Sequence, residues 1–179
     1  MKIFIVFFFL HICCYIKAQQ TGIFEKTIRI NNIERTLAYT VPLNYSSENE
    51  YALLVAFHGC TGLSGAAELF RNYFAFLTDS IDIIVVCPNA INSGVMDSAI
   101  IRASIDSTIL VYNIDTTNVY LTGFSCNGHV ALTASTNELY NWKGIIPYNA
   151  GFNIGYLSSG ILDFNHKIPT CICIGSLDP

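Results

Sequence analysis

Three short apolar runs constrain this chain more than anything else in it. Residues 53–57 (LLVAF), 83–86 (IIVV) and 119–121 (VYL) are continuous rather than alternating, and each is closed within a few residues by glycine or proline. Runs of that length are too short for helices and suit strands buried on both faces. Between them the apolar spacing lengthens toward 3.6. Leu69, Phe70, Tyr73, Phe74 and Leu77 predict one helix face after the first run. Ile100, Ile101, Ile105, Ile109 and Tyr112 predict another after the second, starting near Asp97. A third helix over 128–136 and strands at 144–148 and 171–174 continue the alternation. Ahead of it, residues 27–30 and Ile33–Val41 flank Asn31-Asn32 and read as a hairpin turned by the asparagine pair. Strands alternating with helices imply right-handed βαβ units, a mostly parallel sheet, and ligands bound outside the carboxyl ends of its strands. His58, Cys87, Ser125, Asn149 and Gly175 open the segments at those ends.

The 179 residues are enough for one domain with a sizeable core. Part of the apolar content belongs to the leader. Lys2, an apolar stretch over 3–16 and the small Ala18 before Gln19 read as a secretory signal over 1–18, with the domain over 19–179. The expectation is therefore a secreted, extracellular or periplasmic protein with no stable membrane anchor once the signal is gone. Losing Lys2 and Lys17 makes a chain of net charge −4 more acidic still, and with no basic stripe nothing points to nucleic acid. Of seven cysteines, Cys13 and Cys14 leave with the signal. The remaining five are an odd number in an oxidising compartment, so at least one thiol stays unpaired. Cys171 and Cys173 are expected to be small buried hydrophobes, and no cysteine or histidine cluster has metal-ligand spacing. Asn44-Tyr45-Ser46 matches a glycosylation acceptor, a tripeptide that also arises by chance.

The chemistry concentrates at NVYLTGFSCNGH, residues 118–129. An apolar strand stops at Gly123, Ser125 follows, and a helix opens within a few residues, the pattern of a nucleophile elbow in which a sharp turn holds a serine hydroxyl above the sheet. The usual form is G-x-S-x-G. Here Asn127 stands at the second glycine position and Gly128 comes one residue later, and asparagine's tolerance of unusual backbone angles keeps the turn open to it.

With LLVAFHGCTG at 53–62, IRASIDSTILVYNIDTTNVYLTGFS at 101–125 and IPTCICIGSLDP at the end, the chain resembles the α/β-hydrolase fold. More narrowly, it looks like the secreted esterases of the polyhydroxybutyrate depolymerase and feruloyl esterase group. The resemblance implies a three-layer sandwich with a mostly parallel sheet, an N-terminal antiparallel hairpin and a missing C-terminal part. It implies a serine carboxylic ester hydrolase acting through an acyl-enzyme on a small-molecule or polymeric ester, with no cofactor and no metal. A serine hydroxyl needs a base within hydrogen-bond reach, itself oriented by a carboxylate. Ser125 is the candidate nucleophile and Asp178 the candidate acid. The residue after the nucleophile and the loop after the first core strand normally supply the oxyanion donors, here the amides of Cys126 and Cys60, with His58, Gly59 and Gly123 shaping their support.

A base ahead of the nucleophile would break the fold's Ser, acid, His order, so His58 is expected to be structural. His129 is read as a helix residue facing away from the hydroxyl, and His166 as solvated. Asp97 and Asp106 are read as local helix support and Asp163 as a loop residue. No histidine follows Asp178, so the catalytic base is expected beyond Pro179, in a longer protein. The implied strand order sets the strand before Cys60 between those leading to Cys87 and Cys126, which leaves open either one disulfide among the three or three unpaired thiols. Two other functions compete: a secreted non-catalytic binding domain on the same scaffold, and a thiol enzyme using Cys126.

Overall fold

The computed structural model describes residues 19–61, 63, 65–91, 94–136, 141–150, 168–173 and 175. Its centre is a six-stranded sheet of β1 (Gly22–Ile30), β2 (Ile33–Val41), β3 (Tyr51–Phe57), β4 (Ile83–Pro88), β5 (Ile114–Phe124) and β6 (Trp142–Tyr148), in the order β1-β2-β4-β3-β5-β6. β1 and β2 form the expected hairpin, longer at its start than the sequence indicated, paired from Gly22↔Val41 to Ile30↔Ile33. Asn31 and Asn32 turn it with φ of 49° and 65°, the two positive angles a two-residue loop of this hand requires. β2 runs antiparallel to β4, while β3 lies parallel between β4 and β5, and β6 is parallel to β5. All six residues of β4 are buried, as a continuous apolar run demands.

Helices cover both faces. Leu53, Val55 and Phe57 point to the face packed by α2 (Ser98–Ile109) and α3 (Cys126–Thr136), with Ile84, Val86 and Leu121. Leu54, Ala56, Val85 and Cys87 point to the other face, under Ala67, Phe70, Phe74 and Leu77. α2 follows its predicted face closely, with Ile100, Ile101 and Ile105 at most 2% exposed. Asp97 caps it, accepting from the Ile100 amide at 2.9 Å, and its other carboxylate oxygen receives buried Arg35 at 2.8 Å. Burial works against that carboxylate, yet the Arg35 and backbone hydrogen bonds outweigh it and hold Asp97 below its ordinary range. Asp106 pairs with Arg102 one turn away, so both carboxylates support the helix as expected.

The first helix corrects its expectation. It is short, α1 (Ala66–Asn72), followed by a 3-10 turn over Ala75–Asp79. Of the expected face, Phe70, Phe74 and Leu77 pack against the sheet alongside Ala67, while Leu69 and Tyr73 are 62% and 63% exposed, and Ala66 and Arg71 are buried in their stead. Two apolar stripes at helical spacing coexist here, and the one bearing small alanines lets the helix lie close to the strands. Cys171 and Cys173 also differ from expectation. The 168–173 segment lies parallel beside β6 through bridges Ile145↔Thr170 and Tyr148↔Cys173, with Cys171 exposed and Cys173 half-buried. Only one side of that segment meets a described strand, so an apolar run there does not bury its thiols. No helix among the described residues is long and apolar enough to cross a membrane.

Candidate active site

β5 runs straight into α3, and the residue at the junction is Ser125, with φ of 55°. A positive φ at a non-glycine residue is costly and persists only where its surroundings hold it. Here the Ser125 amide donates to Tyr148 O at 2.8 Å at the end of β6, and Ser125 O accepts from the Gly128 amide at 2.9 Å. The turn leaves no room for side chains on either flank. A Cβ at Gly123 would come within 2.2 Å of Asn127 O, and one at Gly128 within 2.3 Å of Ala150 Cβ. The glycine displaced to position 128 is thus a steric requirement of this elbow, one residue later than in the usual pattern.

Asn127 is accommodated by another means than its backbone. It has no positive φ; its side chain is fully buried and ties three segments together. Its Nδ2 donates to His58 O at 2.6 Å and to Gly94 O at 2.8 Å, while its Oδ1 accepts from the Met96 amide at 2.9 Å. A buried amide with all these bonds made rigidifies its surroundings, where an unsatisfied one would be costly. Gly94, at φ 76°, packs so tightly behind the loop after β3 that a Cβ would lie 2.6 Å from the Thr61 amide nitrogen. Neither role was foreseen from sequence; a glycine and an asparagine at irregular positions were the only signals.

The loop after β3 reaches the elbow covalently as well. Cys60 and Cys126 form a disulfide with their α-carbons 5.8 Å apart. That decides between the pairings left open above and removes Cys126 as a thiol nucleophile. Cys87 stays unpaired and buried, its thiol pushed up by that burial, which Arg71 offsets only in part. Among the described backbone hydrogen bonds none is donated by the amide of Cys60 or of Cys126. Cys126 opens α3, where amides lack an intrahelical acceptor and the helix dipole favours negative charge.

His58 is 2% exposed and both its ring nitrogens are committed. Nε2 accepts from the Ala90 amide at 3.1 Å, which puts the proton on Nδ1 to donate to Gly59 O at 2.6 Å. It buttresses the loop, as expected, and has no nitrogen left for a hydroxyl. His129 is half-buried one helical turn beyond Ser125. No described histidine or carboxylate is hydrogen-bonded to the Ser125 hydroxyl. Asp178, Asp163 and His166 lie outside the described residues.

Ser125 borders a cavity of about 370 Å³. Its walls are the backbone of Gly59 and Cys60 on one side and Leu69, Phe70, Tyr73 and Phe124 on the other. Phe70 packs edge-on to Tyr73 and lies 6.3 Å from the Phe124 ring, and Gly59 leaves Phe124 its place, since a Cβ would sit 2.8 Å from that ring. The arrangement sets the residue at the elbow, Cys60 and an apolar wall around one space, with Cys126 bonded to Cys60 beside it.

No protein-family model and no curated protein matches the sequence. Solved structures do resemble it. A thermostable esterase superposes with a TM-score of 0.61 at 15% identity over 87% of this chain. The S-formylglutathione hydrolase FrmB of Staphylococcus aureus gives 0.58 at 14% over 81%, and the fluorophosphonate-binding serine hydrolase FphF of the same organism 0.59 at 15% over 82%. The chain spans 56% of the first of these structures and 63% of the other two. At such identity the likeness is one of fold: the α/β-hydrolase architecture, with its hairpin, parallel strands and strand-to-helix turn.

Proposed function

We propose that the chain is the nucleophile-bearing part of a secreted serine carboxylic ester hydrolase, of the kind typified by polyhydroxybutyrate depolymerases and feruloyl esterases. The observation that carries the reading is Ser125, held at positive φ between β5 and α3 and bordering an apolar cavity that Cys60 also lines. Ser125 Oγ attacks the ester carbonyl carbon and gives up its proton to a base. The carbonyl oxygen, now negative, takes hydrogen bonds from the Cys60 and Cys126 amides. Collapse expels the alcohol and leaves the acyl group on Ser125 for water to remove. Donors aimed at a developing oxyanion are worth a few kcal/mol each. Asp178 is the proposed carboxylate partner of the base, and His58 and His129 are not that base. The apolar wall of Leu69, Phe70, Tyr73 and Phe124 suits an uncharged aliphatic or aromatic group on the ester.

A fluorophosphonate probe tests this. Attachment mapped to Ser125, lost in Ser125→Ala, is the expected result. One observation favours the competing reading of a non-catalytic binding domain: both nitrogens of His58 are engaged and no described base meets Ser125. An intact version, extended through the native downstream reading frame, that folds yet takes no label and cleaves no p-nitrophenyl, feruloyl or hydroxybutyrate ester would end this reading in favour of that one.

A further inference from the structure

We infer that the Cys60–Cys126 cystine is a positioning device for the oxyanion hole, so that the rate of acyl transfer, rather than substrate binding, depends on that bond being intact. The inference rests on the proposed function, because it assigns work to the two amides named there. Those amides belong to residues 66 apart in sequence, on loops that leave β3 and β5 independently. Strand pairing cannot fix them together, because beyond Phe57 and Gly123 the β3–β5 register ends. The cystine takes over at that point and holds both donor-bearing α-carbons 5.8 Å apart.

The bond does not work alone. Asn127 ties the same two loops through His58 O, and the His58 ring fixes Gly59 O and the Ala90 amide around the same turn. Gly59 O also accepts from the Thr61 amide at 2.8 Å, so the peptide plane that carries the Cys60 amide is oriented within its own loop, while the nitrogen and carbonyl oxygen of Cys60 have no partner among the described backbone bonds. Cys60 is exposed, and its loop is shaped by its own hydrogen bonds, so without the cystine the loop keeps its form but can shift relative to the Cys126 amide, with Asn127 as the remaining tie between the two. Oxyanion stabilisation falls steeply with misplacement, and its loss appears in kcat because the charge exists only in the transition state. The substrate's apolar group would meet Leu69 and Tyr73, which lie away from the cystine on and after α1.

The exposed bond is open to a dithiol reductant. Two thiols of the reductant become its own disulfide, and the two electrons and two protons leave Cys60 and Cys126 as free thiols. The experiment compares kcat and KM for a p-nitrophenyl ester on the oxidised protein, the dithiothreitol-reduced protein and the Cys60→Ala/Cys126→Ala variant. Closing so long a loop also contributes stability, so all three are assayed in sucrose, under conditions where their near-ultraviolet circular dichroism superimposes. The expected result is a fall in kcat of at least about tenfold with KM within about twofold. Reoxidation restores the wild type, and the variant is slow and indifferent to reductant. Unchanged kcat in the folded, reduced protein overturns the inference, as does a loss carried by KM. An oxidised protein that never reacts with fluorophosphonate fails the esterase reading itself, whereas a reactive one whose rate ignores the cystine fails this inference alone.

Discussion

α1 and α2 lie on opposite faces of one sheet, and both carry apolar residues at helical spacing, yet they use them differently. α2 buries its isoleucines against β3, β4 and the hairpin, with Ser104 and Thr108 buried among them and bonded to carbonyls one turn back. α1 meets the sheet with Ala66 and Ala67, and turns Leu69 and Tyr73 outward to the cavity beside Ser125. Its entry differs too: Gly65 at φ 81° with no side-chain cap, against Asp97 with a cap and an ion pair. The lesson is that apolar periodicity marks surfaces that avoid water, and beside a cavity such a surface can line the open space as readily as the core.

The largest effect that would sharpen this contrast is in the core helix. Ile105 is fully buried between α2 and the sheet. Ile105→Ala should cost about 2–5 kcal/mol, the usual range for such truncations, read from the urea unfolding midpoint. A cost below about 1 kcal/mol would mean that the two helices are equally loosely packed and that the contrast is false.

Asp97 gives the intermediate case. Asp97→Ala removes the α2 cap and strands Arg35, 4% exposed, of which Nε and Nη2 already have no partner among the described residues. With the carboxylate side chain itself 44% exposed, the loss should be about 2 kcal/mol rather than the full cost of breaking a buried pair. The pH dependence has a definite sign. Asp97 is held below its ordinary value when folded, so its contribution is present above the unfolded value and is lost as pH falls through the folded one, below about pH 4. Asp97→Asn keeps a cap and has no such titration. Its stability profile should run flatter than the wild type's from pH 5 to pH 3, and parallel profiles would refute the assignment.

The sequence made the sheet legible because buried parallel strands are written as unbroken apolar runs between breakers, and each of the three runs became a central strand. The hairpin was legible because two asparagines supply the two positive φ angles. The face of α1 was not, since residues 67, 70, 74 and 77 and residues 69, 73 and 76 form apolar stripes of equal quality, and only the sheet decides between them. The positions of Ser125 and Cys126 at the junction of β5 and α3 were legible because a strand-to-helix turn is a local pattern, and that of Cys60 because it directly follows an apolar run. The roles of Asn127 and Gly94 could not, because they bond or press on loops about 30 or more residues away in sequence, and no local pattern records those contacts.

The smallest effect on stability is also the most informative about α1. Leu69 and Tyr73 are more than three-fifths exposed, so Leu69→Ala and Tyr73→Ala should each change the unfolding free energy by no more than about 0.5 kcal/mol. As walls of the cavity they should matter to substrate instead. On the proposed function, truncating either would remove apolar contact with the distal part of an ester but none with its carbonyl, which would face Ser125 and the proposed amide donors. Binding energy lost from a remote group lowers kcat/KM only for substrates that reach it. A p-nitrophenyl hexanoate or a methyl ferulate should therefore lose about fivefold in kcat/KM in the double variant, in line with one or two apolar contacts at a partly wetted rim. The acetate, too short to reach, should change less than about twofold. Were the acetate and hexanoate to fall together, the two residues would be supporting the elbow, and α1 would be a structural helix like α2. Were neither to fall while stability dropped by about 2 kcal/mol, Leu69 and Tyr73 would be packed against protein, and the cavity would take its apolar wall from Phe70 and Phe124 alone.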